Sequence, residues 1–160
     1  MRRFLAGLLC GLALFASGDS LAAQDGDVWN GLYRLEWVVD GRPGIEMRIE
    51  RARDADPAKL VEKYRSDLAR WTISQPAAPR EAATLRRFVA SEYEGWGWGD
   101  LRKDLRIECL DASRMFLCRT APGTTIFFGP DGPNRETLLA KTGVFGVVLH
   151  AGAFELKKLD

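Results

Sequence analysis

Alternation of apolar and polar positions with period two dominates the chain. Between Trp29 and Asp40, Tyr33, Leu35, Trp37 and Val39 fall on one face, with Arg34 and Glu36 on the other. This is the pattern of a half-buried strand. Asp40–Gly44 is a turn signal. Ile45, Met47 and Ile49 then alternate with Glu46, Arg48 and Glu50, so the two runs predict a β-hairpin whose apolar faces join one core. A second hairpin is expected from Leu105–Leu110 and Met115–Thr120 around Asp111–Arg114. A third is expected from Val144–Leu149 and Phe154–Leu159 around His150–Ala153. Thr124–Phe128 reads as a further strand, entered through Pro122–Gly123.

Helical spacing occurs in three places. Asp56–Pro57 supplies an N-cap and a first-turn proline. Leu60, Tyr64, Leu68 and Trp71 follow at intervals of four, four and three, with Val61 widening the stripe, which predicts an amphipathic helix to about Trp71. Thr84–Tyr93 fits a helix through Leu85, Phe88, Val89 and Tyr93. It also fits a strand through Leu85, Arg87, Val89, Ser91 and Tyr93, and the Glu81–Ala83 lead-in favours the helix. Asn134 is placed to cap a short helix over Arg135–Lys141, with Gly143 just beyond its end. The sum is an α+β domain: a largely antiparallel sheet of about seven strands, one main amphipathic helix packed on it and one or two short helices.

The first residues change the picture of where this domain works. Arg2 and Arg3 precede an apolar run, Phe4–Ala16, and Ser20–Ala23 offers small residues for cleavage. That is the layout of a secretory signal peptide, and the run is shorter than the roughly 20 apolar residues of a membrane-spanning helix. Residues 1–22 are therefore expected to be a signal peptide, with the cut after Ala22 or Ala23. Residues 23–160 are expected to form one exported domain, periplasmic or alternatively secreted, with no stable membrane insertion after cleavage. The chain has 23 basic and 22 acidic side chains. Near-neutral balance argues against nucleic acid or an anionic membrane as partner.

Cys10 lies in the leader, and Cys109 and Cys118 remain. In an oxidising compartment they are expected to pair. A hairpin turning at Asp111–Arg114 makes them diagonal neighbours, and a shift of one residue in each strand sets them opposite. Two reduced, buried cysteines are the alternative.

Catalytic chemistry is thinly represented. His150, at a hairpin tip, is the sole histidine, which excludes a two-histidine zinc site and leaves an exposed turn residue as the simplest reading. Glu92, Glu94, Asp100 and Asp104 flank an aromatic segment. Paired carboxylates beside an aromatic groove can cleave a glycoside, although solvated charge beside a loop is the plainer reading. Asp54 with Asp56, and Asp131 with Asn134, do not form a calcium-loop pattern. No catalytic residue, metal or cofactor is assigned.

Gly95–Gly99 (GWGWG) is the most unusual segment. Trp96 and Trp98 either form an exposed aromatic platform or anchor, or close one end of the core. The loop Phe127–Pro133, with Phe128 and Asp131, is a second candidate for binding. The expected function is that of an exported, non-enzymatic binding protein recognising a protein partner, in the manner of a small inhibitor or immunity protein. The alternatives are a glycan- or peptidoglycan-binding module using Trp96 and Trp98, and a small carboxylate-dependent hydrolase.

Overall fold

A computed structural model describes residues 27–39, 41–104, 106–129 and 136–160. The expected signal peptide, Asp131 and the proposed Asn134 cap lie outside these residues. Eight strands close into an antiparallel barrel: β1 (Gly31–Trp37), β2 (Ile45–Arg51), β3 (Arg70–Gln75), β4 (Ala78–Arg87), β5 (Glu108–Asp111), β6 (Met115–Arg119), β9 (Val144–Val148) and β10 (Gly152–Lys158). Each pairs with its neighbour in chain order except that β6 pairs with β9, and β10 closes the barrel on β1. A hairpin of β7 (Thr124–Phe127) and β8 (Thr137–Ala140) is inserted between β6 and β9. Two short helices, α1 (Ala90–Gly95) and α2 (Gly99–Lys103), lie between β4 and β5.

This architecture overturns the expected α+β fold with a main helix on an open sheet. The Asp56 cap does form, its carboxylate accepting the Ala58 amide at 3.0 Å, but the turn that follows is a 3-10 turn of Pro57–Lys59. A second such turn covers Glu62–Tyr64. Trp71, expected on the helix face, instead points into the barrel from β3, two residues from Ile73. β3 pairs with both β2 and β4; without it the barrel would have two open edges. Backbone pairing of a complete sheet therefore outweighs a helical stripe three turns long. The ambiguous segment Thr84–Tyr93 divides, with strand to Arg87 and helix from Ala90. The helix expected over Arg135–Lys141 is replaced by β8, because Leu138 and Ala140 alternate into a buried layer with Ile126.

The barrel interior is filled. Trp29, Tyr33, Trp71, Phe154, Leu35, Ile49 and Leu117 are all buried in one cluster, as an eight-stranded barrel has width enough for side chains alone. A second layer forms outside. Phe116, Cys118, Cys109 and Phe145 face outward from β5, β6 and β9, and are covered by Tyr93 and Trp98 of the helical segment and by Ile126, Leu138 and Ala140 of the β7–β8 hairpin. These three strands are buried on both faces, which is why β6 and β9 lose alternation and read as apolar runs.

Cys109 and Cys118 are directly opposite, with Cα atoms 4.1 Å apart and their sulfurs at bonding distance. The register is the shifted one, since Asp111 pairs with Phe116 and the turn begins at Ala112. The pairing is compatible with an exported protein. Among the described residues no helix is long and apolar enough to cross a membrane.

Candidate functional site

The GWGWG segment joins the two helices over the outer face of β6. Gly97 takes a left-handed conformation, φ 74°, that a side chain would strain, and its amide caps α1 by donating to the Glu94 carbonyl at 2.9 Å. The reversal brings the two indoles face to face, centroids 5.5 Å apart and planes within 19°. Their roles then diverge. Trp98 is 1% exposed; its ring packs on Phe116, Phe128 and Phe145, and its indole N–H donates to the Phe127 carbonyl at 2.7 Å. It joins the β7–β8 hairpin to the barrel, and in this arrangement its ring has no open face. Trp96 is half-buried, 5.0 Å from the Phe116 ring, and lines an open cleft of about 330 Å³. Phe88, Phe116, Met115 and the 47% exposed Leu149 supply the apolar walls; Glu92, Asp111 and Ser113 supply the polar rim.

The rim is held by one arginine. Arg86 of β4 donates from both terminal nitrogens to Glu92, at 2.7 and 2.8 Å, and also pairs with Asp111 across the β4–β5 ladder at 2.8 Å. Its guanidinium lies over the Tyr64 ring at 3.8 Å. Two carboxylates share this one cation, and Lys63 also acts on Glu92. Burial alone would raise the Glu92 pKa, but the hydrogen bonds from Arg86 and the Val89 amide outweigh it and hold the carboxyl below its ordinary value. Burial alone would lower the Arg86 pKa, but Glu92 and Asp111 outweigh it and raise the value. Tyr93 fixes the helix behind the cleft: its hydroxyl accepts the Cys109 amide at 2.8 Å, and burial raises its pKa.

The remaining candidates scatter. Phe128 is half-buried among Trp96, Trp98 and Phe145. Glu92 is the one of the four flanking carboxylates that lines the aromatic cleft. Asp100 pairs with Lys103 and Asp104 with Arg106, both at the surface, and Glu94 is exposed. His150 is exposed at the β9–β10 turn. Among the described residues no group of three His, Cys, Asp or Glu side chains is placed to hold a metal.

Sequence reasoning did not single out Arg86, Phe88, Met115, Phe116, Asp111 or Leu149. One signal was present: Met115–Cys118 is apolar at consecutive positions, so a cover over the outer face of that strand is implied by the run itself. Arg86 carried no such mark, because its partners come from an adjacent strand and a helix turn. Comparison of the chain with protein-family models, with curated proteins and with solved structures finds no match.

Proposed function

We propose that this chain is an exported, periplasmic binding protein that recognises a protein partner through the Trp96 cleft. The observation that carries the reading is a half-buried indole at the mouth of an aromatic cleft with two carboxylates, Glu92 and Asp111, on its rim. Such a cleft suits an apolar side chain flanked by a basic residue. Aromatic anchors in pockets of this kind dominate binding energy at protein interfaces, and the walls are preorganised by ring packing and the Arg86 pairs, which lowers the ordering cost on association. The filled barrel supports surface recognition over capture of a small molecule inside the barrel. For the alternative of a stacked sugar, support is reduced to a single ring, because Trp98 is covered.

The test is capture from periplasmic and secreted extracts with the oxidised protein as bait and Trp96→Ala as control. Retention of a single protein by the wild type, with affinity lowered at least about tenfold by the substitution, is the expected result. Equal retention by both would move the interface away from the cleft. Retention of no protein, together with quenching of tryptophan fluorescence by peptidoglycan fragments, would replace this reading with the glycan-binding one.

A further inference from the structure

Among the described residues, Arg70 is the one charged side chain that is buried, at 6% exposed. It opens β3 on the outer face of the barrel, directly across from Arg86. Like charges opposed across a ladder are unfavourable, and Arg86 is relieved by Glu92 and Asp111. Arg70 has no such relief. Its Nη1 donates to the backbone carbonyls of Asp67 and Ala69, at 2.8 and 2.7 Å, and it forms no ion pair with any described carboxylate. Asp67 and Asp54 act on it only from beyond pairing distance, and burial pushes its pKa down from the ordinary value.

What Nη1 leaves over is the Nε–Nη2 edge, which donates to no group among the described residues. Arg70 borders a pocket of about 210 Å³ on the outer wall, between Tyr64–Asp67 of the β2–β3 connection and the β4–α1 junction. Arg86 and Arg87 also line it, each already paired: Arg87 meets Asp67 at 3.0 Å and Glu108 at 3.6 Å. The carboxylate in the lining, Asp67, has both oxygens engaged, by the Ala69 amide and by Arg87. Ser66 is exposed at the mouth. A guanidinium stays charged at neutral pH, and Nε and Nη2 of Arg70, unpartnered among the described residues, are not shut off from solvent, so the edge is open to a ligand. The free edge presents two parallel N–H donors, the fork that matches two oxygens of one anion.

We propose that this pocket binds a small oxyanion, a carboxylate or phosphate group, side-on through Nε and Nη2 of Arg70. The pocket adjoins the Trp96 cleft, sharing Phe88 and the Arg86 that holds its rim, but the proposal does not depend on the function assigned to that cleft.

The experiment titrates the folded wild-type protein with inorganic phosphate or acetate, against chloride at matched ionic strength. It follows the arginine Nε–H resonances, with Arg70 assigned through its side-chain carbons. The Arg70 resonance is expected to move saturably, with a dissociation constant of about 1 mM or tighter, and to ignore chloride. Stronger response to phosphate identifies a phosphate group as the ligand, and stronger response to acetate a carboxylate. A Ser66→Glu variant, which brings a carboxylate to the pocket mouth, is expected to lose the response and gain thermal stability. Absence of saturable movement with either anion overturns the proposal. So does a Ser66→Glu protein that responds to phosphate as the wild type does.

Discussion

Single residues in this protein are governed by what surrounds them on neighbouring strands. Glu92 lies in a stretch whose spacing fits helix or strand, and Arg86 and the Val89 amide make it the anchor of α1. Its folded pKa is lowered, so its contribution to stability is complete above the unfolded value of about 4.3 and is lost as pH falls through the folded value. Glu92→Gln is expected to cost about 1–3 kcal/mol at neutral pH. It should also flatten the loss of stability below about pH 4.3, as read from urea midpoints over an acid series. At His150 the backbone decides. It sits at φ 64°, where a side chain costs about 1–2 kcal/mol. Glycine removes that cost and gives back part of it through unfolded-state entropy. His150→Gly is therefore expected to raise stability by about 0.5–1 kcal/mol, measurable as a higher melting temperature.

At the level of elements, three hairpins form where they are expected, since local turn chemistry and a buried face both act within a dozen residues; the β5–β6 register shifts by one residue in each strand, and β10 begins inside the expected turn, at Gly152. Elements whose fate depends on distant partners were misread. The 57–71 stripe is helical in spacing, but β3 is required by β2 and β4, and the connection before it is left with two 3-10 turns. Strand β9 shows how tight the two-sided layer is. A Cβ on Gly146 would fall against the Phe154 ring and 2.5 Å from the Phe116 carbonyl oxygen. Gly146→Ala is expected to cost about 1–3 kcal/mol through overpacking, checked by denaturant unfolding with the slope unchanged.

For the whole molecule, the second aromatic layer joins barrel, helices and inserted hairpin, and Trp98 is its centre. Trp98→Ala is expected to destabilise by about 3–5 kcal/mol. Trp96→Ala, which empties a cleft wall, is expected to cost markedly less, with both read by thermal or urea unfolding. That difference makes Trp96→Ala alone the sound control for binding. Sequence by itself determined the strands with clean alternation, the existence of three hairpins, the placing of Cys109 and Cys118 on facing strands, and the aromatic segment as a feature to explain. These are encoded in spacing over a few residues, where side-chain period and turn chemistry suffice. Tertiary structure alone decided that the sheet closes into a barrel, that one tryptophan of the pair is core and the other cleft, and that Arg86 is paired while Arg70 is not. Those outcomes depend on which strands become neighbours. Closure satisfies the last two backbone edges at once, a gain no local window of sequence contains.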